Sequence, residues 1–75
     1  MRRIKQLRAE LGVTQAELAH LAGVVVSTIS NVETGFVDKP MPLTLRAIAT
    51  CINRERTKRG LSPIRPEELV AEVEG

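Results

Sequence analysis

Apolar residues recur along this chain in short helical rhythms, each closed by a glycine or opened by a proline. Ile4, Leu7, Arg8 and Leu11 fall on i, i+3, i+4, i+7 spacing, and Gly12 follows, so residues 2–11 are predicted to be helical. Thr14-Gln15-Ala16-Glu17 is a capping box: the Thr14 hydroxyl accepts from the Glu17 amide and the Glu17 side chain reaches back. It opens a second helix at 15–22, with Leu18, Ala19, Leu21 and Ala22 on it and Gly23 as its stop. A fourth helix begins at Pro42, which suits a first helical turn, and shares Leu45, Ile48, Ala49 and Ile52 on one face; with no breaker before Gly60 it spans 42–59. A fifth, 66–73, starts at Pro66, carries Glu67 and Glu68 at its positive end, and has Leu69, Val70 and Val73 as its apolar edge.

Between Gly23 and Gly35 the pattern is ambiguous. "VVVSTI" is β-branched throughout but for one serine, which favours a pleated strand. Strict alternation fails at Val24-Val25-Val26, however, while Val25 and Ile29 lie at i, i+4 and Ile29 and Val32 at i, i+3. The helical penalty of each β-branched residue is only a few tenths of a kcal/mol, about what tertiary packing overrides. A third helix is therefore predicted at 26–34. Only Gly23 and Val24 lie between the second helix and Val25, where the third starts, and two helices joined that tightly cross steeply. Gly23 supplies the positive φ of the turn, Ala19 the small side chain at the crossing, and Leu18, Ala22, Val24, Ile29 and Val32 the inner filling.

Composition narrows the function classes. Seventy-five residues make one small domain, and with Phe36 the single aromatic residue its core is aliphatic. The single cysteine, Cys51, allows no internal disulfide and fits a cytoplasmic, reducing setting. No apolar run approaches the roughly 20 residues of a membrane span, and no signal-peptide stretch follows the charged N-terminus. Net charge is only +2, but residues 1–65 carry all eleven Lys and Arg against five acids, a balance of +6, and Glu67, Glu68, Glu72 and Glu74 make the tail acidic. A basic body suggests an anionic partner, set against the plainer reading of a solvated charged surface. Ser27, Thr28 and Ser30 lack a His/Asp arrangement for hydrolysis. His20 has no neighbour at metal-ligand spacing, and Cys51 reads as a half-buried small hydrophobe rather than a nucleophile. Neither an enzyme, nor a metal, nor a cofactor is expected.

The run "QAELAHLAGVVVSTISNVET", with Ile4, Leu7, Arg8 and Gly12–Gln15 before it and Gly35, Pro40, Thr44-Leu45 and Ile48-Ala49 after it, resembles the Cro/repressor (XRE) family of lambda-repressor-like helix-turn-helix domains. The resemblance implies an all-α fold of five helices whose third enters the major groove of double-stranded DNA. Carried onto this chain, it puts Val26, Ser27, Ser30 and Asn31 in the groove and Val25 at the helix start. Gln15 and Lys39 fall beside phosphates, and Arg8 and Glu33 form an ion pair between helices one and three. Chemistry agrees: unpaired amides at helix N-termini suit phosphate, Asn pairs bidentately with adenine, Ser bonds either base type and Val packs on a thymine methyl. The sequence departs from the family at Val25, where a capping Ser or Thr is usual, and in lacking Arg or Gln from Val26 to Asn31. A small, apolar readout of modest specificity follows.

The function expected is a sequence-specific DNA-binding transcriptional regulator, a repressor acting as a homodimer, because one helix reads few base pairs. The fifth helix, through Leu69, Val70 and Val73, is the expected dimer surface. The rival is a protein-interaction module, for example an antitoxin on the same fold with DNA binding secondary, carried by the long fourth helix and the acidic tail. The basic run Arg54–Arg59 reads either as a contact to DNA backbone or partner chain, or as a solvated helix end. An RNA-binding domain is disfavoured by the missing stacking aromatics.

Overall fold

The structure is a computed structural model and describes residues 1–74. Four α-helices, α1 (Arg3–Leu11), α2 (Gln15–Ala22), α3 (Val26–Thr34) and α4 (Pro42–Lys58), are followed by a 3-10 helix at Pro66–Val70. The architecture is all-α, as its local signals imply. Thr14 and Glu17 close the predicted capping box, with Glu17 N donating to Thr14 Oγ1 at 3.0 Å and Thr14 N to Glu17 Oε1 at 2.9 Å. Gly23 stands at φ 72°, and its N–H reaches back to Ala19 and His20 carbonyls, which turns the chain into α3 within three residues.

The β-branched run resolves into three roles. Val24 packs against the core, Val25 is the extended N-cap residue, and Val26 opens the helix. No pairing strand exists for it among the described residues; the one β-bridge is isolated, between Arg2 and Glu72. Ile4, Leu7, Leu18, Ile29, Val32, Ile48, Ile52 and Leu69 are the fully buried large side chains and form an aliphatic centre shared by all five elements. Each such side chain contributes about 1.5–3 kcal/mol on burial.

The end of the chain differs from expectation. In place of an α-helix at 66–73 there is one five-residue 3-10 turn, after which Ala71–Val73 runs extended beside the N-terminus. Arg3 N donates to Ala71 O and Val73 N to Met1 O, both at 2.8 Å. These cross-chain bonds draw the backbone out of helix, and five residues are too few to show a helical period. Of the edge expected to serve as dimer surface, Leu69 is wholly buried and Val70 packs on the core, while Val73 is half-buried outside it.

The basic run on α4 is also largely consumed internally. Arg56 is buried; its guanidinium pairs with Glu10 and donates to Ser62 O at 2.8 Å. Arg59 donates to the carbonyls of Glu10 and Leu11 at 3.3 and 3.1 Å, closing the C-terminal end of α1. Lys58 pairs with Glu55 at 3.4 Å. Asn53, one turn before Arg56, exchanges two hydrogen bonds with the Ile64 backbone at 2.7 and 2.8 Å and fastens the segment after α4.

Candidate nucleic-acid interface

Burial divides α3 along its length. Ile29, Val32 and Glu33 face inward, while Val26 is 48% exposed, Ser27 is exposed, and Ser30 and Asn31 are half-buried. Positions 26, 27, 30 and 31 share the outer side because they are one and four residues apart. The face they make is short and bears two hydroxyls, a carboxamide and an aliphatic cap, without a formal charge. None of the four side chains is engaged in a hydrogen bond with the protein among the described residues, so their polar atoms are open to another molecule.

At the start of α3, Val25 has the backbone of a helix cap (φ −77°, ψ 152°) and no side chain that can accept from the first turn. It is 66% exposed. The first two amides of α3 therefore lack a side-chain acceptor, while Thr28 N–H turns back to Val25 O at 3.0 Å, and this end carries the positive pole of the helix dipole. On α2 that role is filled by Thr14 and Glu17. The Thr14 backbone amide, and after it the Thr14 hydroxyl, holds the Glu17 carboxyl below the usual carboxylate range.

Arg8 and Glu33 meet in a two-bond fork, Arg8 Nε to Glu33 Oε2 at 2.7 Å and a terminal nitrogen to Oε1 at 3.2 Å. Arg8 also donates to Val13 O at 3.0 Å. The Glu33 carboxylate is 3% exposed and accepts a third bond, from Gln15 Nε2 at 3.2 Å. Gln15, assigned from the resemblance to a phosphate, is thus half-buried and tied by its amide nitrogen to a carboxylate that binds α1, α2 and α3 together. This third bond leaves no local trace along the chain, because Gln15 and Glu33 lie eighteen positions apart.

Lys39 is exposed in the loop between α3 and α4. That loop also holds Phe36, 82% exposed, and Asp38. It is fastened from an unexpected direction. Arg2, next to the N-terminus, lies buried beneath the end of α3 and donates to the carbonyls of Val32, Val37 and Asp38, each at 3.2 Å. Read alone, Arg2 belongs to a solvated basic start, and only its alternation with Ile4 could have hinted at burial.

Away from this face, a shallow apolar hollow lies between α2 and α4, lined by Val13, Ala16, Glu17, His20, Leu21 and Glu55. Cys51 is buried nearby, its thiol donating to Leu21 O at 3.0 Å. Among the described residues no three His, Cys, Asp or Glu side chains gather as metal ligands would, and no helix is long and apolar enough to cross a membrane.

The sequence profile of the helix-turn-helix family matches residues 4–59, well over half of the chain, from the first core residue of α1 to Arg59, the residue after α4. Comparison with curated proteins returns no match, and neither does comparison with solved structures. With α2 and α3 packed together across the three-residue turn Gly23–Val25 inside the matched span, the chain belongs to the helix-turn-helix family of Cro/repressor (XRE) type, a family of DNA-binding transcription regulators.

Proposed function

We propose that this protein is a sequence-specific regulator of transcription, a repressor working in the cytoplasm, that lays α3 in the major groove of double-stranded DNA. The observation that carries the reading is the outer face of α3. Val26, Ser27, Ser30 and Asn31 stand free of protein partners beside an uncapped helix start. Asn31 then reads an adenine edge, Ser27 and Ser30 bond to bases of either type, and Val26 packs on a thymine methyl. The opening amides of α3 around Val25, the α2 start at Gln15, and Lys39 hold phosphates and fix the register. Four small side chains give a modest readout, which a homodimer doubles by using two half-sites about 34–36 Å apart.

Selection of bound duplexes from a random pool tests this. A palindromic consensus with half-sites one helical turn apart is the expected result, together with affinity that falls steeply with added salt. No enrichment over the starting pool would end the reading. The protein-interaction alternative has less to stand on. Part of what it relied on is engaged within the domain, Arg56 and Arg59 with α1 and Glu68 with the Arg65 amide, while Glu67, Glu72 and Glu74 of the acidic tail stay exposed.

A further inference from the structure

A guanidinium as enclosed as that of Arg2, 10% exposed, is costly to bury unless its donors are used. Its use is unusual. No carboxylate lies within hydrogen-bond distance: Asp38 Oδ1 and Glu72 Oε1 are each 3.9 Å away, on side chains 90% and 74% exposed. Nε finds no acceptor at all. What the fork does hold is backbone: Val32 O in the last turn of α3, and Val37 O and Asp38 O in the loop that follows.

That pattern complements a gap in α3. Gly12 and Gly23 close α1 and α2 by sending their own N–H groups back to the last carbonyls. Gly35 takes the same left-handed conformation, φ 79°, but makes no such bond. The Val32 carbonyl is satisfied by Arg2 instead, and the cation sits at the negative end of the helix. A Cβ on Gly35 would stand 3.7 Å from Arg2 Nε, so the arginine lies directly against the turn. Arg2 is in turn located by the bonds that tie Met1 and Arg3 to Ala71 and Val73.

We propose that Arg2 is a positioning residue: it clamps the loop from Gly35 to Met41 onto the end of α3 and so sets where Lys39 meets a phosphate. The part concerning Lys39 rests on the regulator reading; the clamp itself does not. Only an arginine serves, because its planar fork spreads donors over three carbonyls, whereas lysine is a point charge. Arg2→Lys therefore keeps the charge, and with it the fold, while releasing the loop.

Two measurements decide it. In the free protein, backbone order parameters of residues 36–39 are expected to fall from about 0.85 to below about 0.6 in Arg2→Lys, with α1 and α4 unchanged; a loop as rigid as in the parent protein overturns the clamp. On the selected duplex, Lys39→Ala lowers the log–log salt slope by about one. Arg2→Lys is expected to lower it equally although Lys39 is intact, and the double variant to bind no more weakly than the weaker single. An unchanged slope, or losses that add, overturns the link to Lys39. If the parent protein binds no duplex, the regulator reading falls, and the order parameters still decide the clamp.

Discussion

Glu33 is the most constrained charge in the molecule. Its carboxylate is 3% exposed and receives three N–H donors, two from Arg8 and one from Gln15. Truncating one partner of a buried pair strands the other, so Glu33→Ala is expected to cost ~3 kcal/mol or more. Thermal melting measures it, and a shift near zero would mean that the fork contributes nothing. Asn31 stands at the opposite extreme, its amide free of protein partners. Asn31→Ala is expected to leave the melting temperature nearly unchanged while weakening binding to the selected duplex by ~1–3 kcal/mol and relaxing preference at one base pair. Equal weakening on every duplex would move Asn31 from base edge to backbone.

At the scale of elements, the two helix starts of the helix-turn-helix are capped unequally. Val25 already has cap geometry, but the Thr28 amide already donates to its carbonyl at 3.0 Å, so Val25→Ser adds only a second, side-chain acceptor and should stabilise the fold by about 0.5 kcal/mol. Denaturant unfolding checks this; no gain would mean that the α3 amides are satisfied in some other way. For α2, the folded carboxyl of Glu17 titrates below its unfolded value. Its contribution is therefore complete above the ordinary glutamate pKa of about 4.3 and is lost as pH falls through the lower folded value. Glu17→Gln should accordingly melt below the parent at about pH 6 and converge on it near about pH 3. A gap of constant size at both would show that charge plays no part in closing the box. These four helices were legible in sequence because each start and stop is local: Thr14 with Glu17, Gly23, Gly35, Pro42. The last segment was not, since Leu69 and Val70 fit a helix edge equally well, and the bonds from Met1 and Arg3 that shape Ala71–Val73 come from the far end of the chain.

Across the whole molecule, arginines join what the chain separates. Arg8 links α1 to α3, Arg2 links the N-terminus to the loop after α3, and Arg56 and Arg59 hold α4 and the segment beyond it to the end of α1. Along the chain such residues look like surface charge, because partners 25 to 49 positions away leave no periodic trace. The face of α3 was legible by family resemblance. The framework that holds it in place, Arg2, Gln15 on Glu33, Arg56 and Arg59, was not, except for the Arg8–Glu33 pair. Arg56→Met keeps much of the side chain's bulk but leaves Ser62 O without its donor and Glu10 without its partner. A loss of about 1–3 kcal/mol is expected in denaturant unfolding, and full retention of stability would show the segment after α4 to be held by Asn53 alone.

The lone thiol gives this framework a clock. Cys51 lies on α4 with its sulfur pressed to the backbone of α2, so a water-soluble alkylating reagent reaches it far more readily when those two helices part. With no second sulfhydryl to confuse the signal, the alkylation rate reports the free energy of that parting directly. Comparing this rate with and without a bound duplex would show how firmly occupation of α3 locks the helix behind it.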